Sequence, residues 1–229
     1  MDFCHTSMSH SVNSSKWIKG KSSFFFIVEK AVDMVKKSKK PLLIIGSQCM
    51  LPPTSTERLK AAVESMGIPC YLGGMARGLL GRDSSIQMRH SRRDALREAD
   101  CIILAGPIHS PHFKMSNGYV VIVLRSIRSS SIFSIAGAVC DFRLSYGRGL
   151  NRRAKIIAVN RNKEQLWKNS DLFWKPSVAV ECDVGNFICQ LSASLAGFEF
   201  TCPADWVQKL REKDEVTEKK NKDVRSFPF

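Results

Sequence analysis

The sequence lacks most of the short signatures that announce chemistry. Its eight cysteines (Cys4, Cys49, Cys70, Cys101, Cys140, Cys182, Cys189 and Cys202) stand singly, with no C-x-x-C pair. That excludes zinc-ribbon and thioredoxin-type centres. No G-x-S-x-G or H-E-x-x-H is present, so the commonest hydrolase and zinc-protease patterns are absent. His5, His10, His90, His109 and His112 sit in polar or loop contexts. His109 and His112 would supply half a metal site, with no carboxylate or thiol pair nearby to complete it. No apolar run approaches the roughly 20 residues of a membrane helix; the longest, Pro41–Gly46 and Tyr119–Leu124, are strand-sized. Met1 to Lys21 is polar, without a signal-peptide core. Negative charge is the minority: 21 Asp and Glu face 35 Lys and Arg, for a net charge of +14.

What is present suits a folded intracellular domain. A 44% hydrophobic content in 229 residues supports a core and excludes global disorder. Cys70 and Cys101 fall inside apolar strand patterns, where cysteine acts as a small hydrophobe in a reducing compartment. Positive charge gathers at residues 36–40, 89–93 and 148–155. No aromatic-interleaved platform or zinc-finger spacing accompanies it. These clusters therefore read as solvated ends and loops or as steering for anionic ligands, and no nucleic-acid partner is expected.

Strands and helices alternate. Val28, Ala31, Val32 and Val35 have a helical period within residues 27–37. Pro41 ends that helix, and Leu42 to Ile45 follows as an all-apolar strand, suited to a sheet buried on both faces. A helix is predicted over Thr56–Met66 and closed by Gly67. The pattern repeats with a strand at 68–72, a helix at 91–99 and strands at 101–105, 155–159 and 178–180. A helical turn is expected at 163–168, a helix capped by Asp183 to about Ala196, and a charged helix over 205–220. Alternation of this kind predicts an α/β fold, a Rossmann-like parallel sheet with helices on both faces. Ligands in such sheets bind beyond the carboxyl ends of the strands. The residues to inspect are Gly46–Gln48, Gly73–Met75, the Gly106 or Gly137 turn, Asn160–Asn162 and Asp183–Val184.

Read singly, these residues leave alternatives open. Gly46 is a tight turn or a phosphate approach, and no G-x-G-x-x-G follows it. Asp183 is a helix N-cap or a ligand contact. Arg143, held by Asp141, pairs with a phosphate or forms a solvated ion pair.

Longer motifs are more specific. Residues 73–82 (GGMARGLLGR), 140–148 (CDFRLSYGR), 159–162 (VNRN) and 169–176 (NSDLFWKP) resemble the thiamine-diphosphate enzymes of the acetolactate synthase-like, 2-hydroxyacyl-CoA lyase family. The resemblance runs from about Val28 to Lys213, over the central of three α/β domains. It implies a six-stranded parallel sheet over residues 27–200, after a non-family segment at 1–26 without order and before a charged helix and tail at 201–229. It also implies that thiamine diphosphate and Mg2+ belong to the two flanking domains. Alone, this chain is then expected to be catalytically incomplete, with no catalytic or metal-binding residue of its own. The family's full-length members are oligomers associated with endoplasmic-reticulum membranes; this chain, without an anchor segment, is expected in the cytoplasm.

In the family, the central domain holds the adenine nucleotide part of FAD, or ADP. The family's three-glycine turn matches Gly46, Ser47 and Gln48, keeping only its first glycine. Its next contact falls on Gly74 and Met75. The G-x-R-F-D-D-R-V stretch matches Gly137 to Leu144, keeping Asp141 and Arg143 but placing Val139 and Phe142 at two charged positions. Its adenosine-side aspartate matches Asn160, and its adenine-framing pair matches Asp183 and Val184. These changes leave FAD, an ADP- or CoA-like nucleotide, or a vestigial site as readings. Between Gly106 and Gly137 the family has no residues, so an atypical insert at 107–137 is expected to be retained intron sequence or a gene-model error. A stand-alone nucleotide-binding or oligomerisation module is the alternative function.

Overall fold

Four consecutive apolar residues cannot form a strand with one wet face. Leu42, Leu43, Ile44 and Ile45 accordingly lie in the middle of a sheet covered on both sides. The computed structural model describes residues 14–106, 147–167, 170 and 174–225. Six parallel strands form one sheet: β1 (Pro41–Ile45), β2 (Cys70–Leu72), β3 (Gln87–Met88), β4 (Cys101–Ala105), β5 (Lys155–Asn160) and β6 (Val178–Glu181). Their spatial order is β3-β2-β1-β4-β5-β6. Ile45 registers with Leu72 and Ala105, Ala105 with Val159, and Asn160 with Glu181.

The period of two along the strands divides the core. Leu43, Ile45, Ile103, Ala105, Ile157 and Val159 face one side, against α1 (Ser14–Lys36), α2 (Thr56–Met66) and α5 (Val184–Gly197). Leu42, Ile44, Ile102, Leu104, Ile156 and Ala158 face the other, against α3 (Arg92–Glu98) and α6 (Ala204–Arg225). The short helix α4 (Lys163–Leu166) contributes Leu166 to this second side. The expected Rossmann-like architecture is therefore observed.

Local signals explain the boundaries. Ser55 caps α2 by accepting from the Arg58 N–H at 3.3 Å, and Gly67 closes it at φ +62°. Three features differ from the expectation. Helix α1 starts at Ser14, inside the segment expected to lack order; Ser and Lys are tolerated in a helix whose later turns dock through Val28, Ala31, Val32 and Val35. Strand β3 has only two residues, too few for a readable period. Short 3₁₀ turns at Ser47–Met50 and Gly74–Gly78 follow β1 and β2. The insert at 107–137 lies outside the described residues.

Helix α6 is clasped to the second side. Trp206 and Leu210 are buried there, and the Trp206 indole N–H donates to the Pro41 carbonyl at 2.8 Å. Asp214 accepts from the backbone N–H groups of Arg89 and His90 at 2.8 and 2.5 Å. Lys209 and Lys213 both donate to Glu98, at 2.5 and 2.6 Å. These hydrogen bonds, with the charges behind them, hold the Glu98 carboxyl below its ordinary range, at about 2. A depressed carboxylate stabilises the fold above its unfolded-state pKa and stops doing so as pH falls through its folded one. Stability should therefore drop between about pH 4.5 and 2, and Glu98→Gln should flatten that part of the profile. Urea midpoints measured across this range check it.

Candidate functional site

The strand order reverses between β1 and β4, so a crevice opens above their carboxyl ends. Three glycines continue the ladder one residue past the strands. Gly46 N–H donates to Ala105 O at 2.9 Å, Gly73 N–H to Ile45 O at 2.8 Å, and Gly106 N–H to Val159 O at 3.0 Å. Gly106 adopts φ +76°, and a β-carbon there would lie 2.9 Å from Gln48 Cβ. The first turn thus packs its own side chain against the fourth strand's exit. Gly106→Ala should cost about 2 kcal/mol, from the left-handed conformation plus the close contact, as a lower urea midpoint at unchanged slope would show.

Eight of the expected site residues converge here. Ser47 Oγ accepts from the Met75 N–H at 3.1 Å, joining Gly46–Gln48 to Gly74–Met75. Gln48 Nε2 donates to Asn160 Oδ1 at 3.1 Å, and Gln48 Oε1 accepts from the Arg161 N–H at 3.1 Å. Asn160 Oδ1 also accepts from the Asn162 N–H at 2.9 Å. Asp183 caps α5 by accepting from the Asn186 N–H at 2.7 Å, and takes a second bond from the Thr54 hydroxyl at 3.2 Å. The Val184 side chain is fully buried in the core beneath α5. Gly137, Asp141 and Arg143 lie outside the described residues.

Arg161 falls inside the Asn160–Asn162 stretch singled out from the sequence, but without a role assigned to it. Its guanidinium pairs with Asp183 and donates to the carbonyls of Leu51 and Pro52. It ties the exits of β1, β5 and β6 into one polar knot. Asn160 registers with Glu181, so the residues just after β5 and β6 are neighbours, a pairing that only the register reveals. Two donors in the knot have no acceptor among the described residues, Asn160 Nδ2 and Arg161 Nε, and Asn160 is fully buried. Unspent buried donors are costly in a folded protein, and they suit an acceptor-rich ligand such as a ribose or phosphate.

Among the described residues, the crevice offers little for covalent or metal chemistry. Cys49 lies beneath it, fully buried, its thiol donating to Ala105 O at 3.3 Å. Burial pushes this thiol well above its ordinary range, leaving no nucleophilic thiolate near neutral pH. Among the described residues no group of three His, Cys, Asp or Glu could hold a metal ion. Among the described residues the crevice thus offers no preformed metal centre for a magnesium-bound diphosphate.

Residues 28–122 match the family described as thiamine pyrophosphate enzyme, central domain. The chain carries a thiamine pyrophosphate enzyme central domain. The match runs on past Gly106 into the segment expected to be foreign. The chain is 48% identical over 195 residues to 2-hydroxyacyl-CoA lyase 2 of Danio rerio, covering 85% of the chain and 26% of that relative. It is 43% identical over 201 residues to the Homo sapiens protein of the same name (88% and 27%). To the Caenorhabditis elegans one it is 43% identical over 194 residues (85% and 26%). The chain thus spans about a quarter of the length of the curated relatives it matches. The fold and the family expected from the motifs are both found. No helix among the described residues is long and apolar enough to cross a membrane.

Proposed function

We propose that this central domain serves a thiamine-diphosphate-dependent lyase or synthase that breaks or joins a carbon–carbon bond next to a carbonyl, with 2-hydroxyacyl-CoA compounds as the substrate class. The observation that supports this is the 43–48% identity to relatives named for that activity. Thiamine diphosphate, when bound, supplies the ylid and the electron sink for such chemistry. No metal-holding cluster is found among the described residues, and the chain acts as a scaffold that is catalytically incomplete alone. Purified chain supplied with thiamine diphosphate, Mg2+ and a 2-hydroxyacyl-CoA should release no aldehyde. Thiamine-dependent turnover by this chain would overturn its incompleteness.

A second reading is favoured by the unspent donors of Asn160 and Arg161: an adenine-nucleotide-binding module. Gln48 fills the turn where family members have glycine, and the one glycine left, Gly46, spends its N–H on Ala105. Close approach of a dinucleotide backbone is thereby hindered, while the ribose side stays equipped. ADP should raise the melting temperature and FAD should not. A larger effect of FAD than of ADP would contradict this reading of Gln48.

A further inference from the structure

The opposite end of the sheet holds a second equipped hollow. A cavity of about 400 Å³ opens at the amino ends of β5 and β6, between the loop at 151–155 and the loop at 174–177. It is lined by Arg152, Arg153, Lys155 and Lys175, and no carboxylate is among its lining residues. Three of the four cations come from the basic run at 148–155 that stood out in the sequence.

The walls are fixed. Asn151 donates to Ala99 O at 2.9 Å and accepts from the Arg153 N–H at 3.0 Å, anchoring the first loop to the turn between α3 and β4. Ser177 N–H donates to Ile156 O at 2.7 Å, and its hydroxyl accepts from the Ile156 N–H at 3.3 Å. Trp174 forms part of the lining and is only 5% exposed. Its indole N–H has no acceptor among the described residues. Gly147, at φ +89°, makes room for the ring, because a β-carbon there would overlap Trp174 Cδ1. A buried donor without a partner among the described residues calls for an acceptor, and four cations with no carboxylate among the hollow's described lining call for an anion.

We propose that this hollow binds a phosphoryl group, remote from the nucleotide crevice at the other end of the strands. Guanidinium forks and ammonium points both suit phosphate oxygens, and Trp174, its buried indole N–H without an acceptor among the described residues, borders the hollow. The volume admits the phosphoryl group together with part of whatever carries it.

The test reads the indole itself. The ¹⁵N-labelled chain is titrated with sodium pyrophosphate at constant ionic strength, and Trp174→Phe identifies the resonance. A saturable shift of the Trp174 indole N–H is expected. That of Trp206, bonded to Pro41, should stay still. Arg152→Gln with Arg153→Gln should weaken the response at least tenfold, Lys175→Gln less, and Arg77→Gln, at the far end, not at all. Parallel arms with inorganic phosphate and with phosphatidic-acid vesicles distinguish a free from a lipid-borne group; a response in either supports the site. No shift in any arm, or an equal shift with chloride, overturns it. So does an RNA oligonucleotide that binds with steep salt dependence and leaves Trp174 unmoved.

Discussion

Trp206→Ala is expected to destabilise the chain by about 3–5 kcal/mol, the largest effect foreseen for a single site. The ring is 3% exposed against the second side of the sheet, and its indole N–H satisfies the Pro41 carbonyl at the start of β1. Truncation leaves a cavity and an unpaired buried carbonyl together. Because α6 is otherwise charged and held by Glu98, Asp214 and Leu210, the loss should also loosen that helix. Urea unfolding would give the free energy. The backbone amides of Arg89 and His90, released from Asp214, should exchange faster. Unchanged exchange there would mean that α6 stays docked without its aromatic anchor.

Asp183→Ala should cost about 3 kcal/mol. One part, about 1 kcal/mol, is the N-cap of α5. The rest comes from leaving the Arg161 guanidinium partly buried beside two carbonyls without its carboxylate. The two parts separate experimentally. Asp183→Asn keeps an acceptor for the Asn186 N–H and should recover the cap but not the pair. Arg161→Met made in the Asp183→Ala background should be less damaging than in the wild type, since the orphaned charge goes with it. Additive losses in that cycle would show that the knot is not an energetic unit.

These residues also show what the amino-acid order reveals and what it hides. Strands β1 and β4 were legible because an apolar run between Pro41 and Gly46, and another ending at Gly106, can only be buried strands here. Helix α2 was legible to the residue, because Ser55 and Gly67 mark its ends chemically. Strand β3 was hidden, since two residues carry no pattern. The crevice was half legible: fold logic points to the residue after each strand, and Gly46–Gln48, Gly74, Met75, Asn160 and Asp183 do meet there. The Arg161–Asp183 pair was not, because neither residue is distinctive alone and their meeting depends on the β5–β6 register. Trp174 was hidden for a similar reason: its lack of an acceptor is a property of its surroundings.

The reversal of strand order between β1 and β4 has one more consequence. The crevice stands over the central seam, where both partners are covered on both sides. Amides of Leu43 and Ile103 should therefore exchange with deuterium only through global unfolding, while those of Gln87, in a two-residue strand at the sheet's margin, exchange through fraying. A ligand held in the crevice at about a hundred times its dissociation constant would slow the seam amides by about a hundredfold and leave the fraying ones alone. Deuterium uptake at that seam is thus a built-in gauge of occupancy, readable without any assay of turnover.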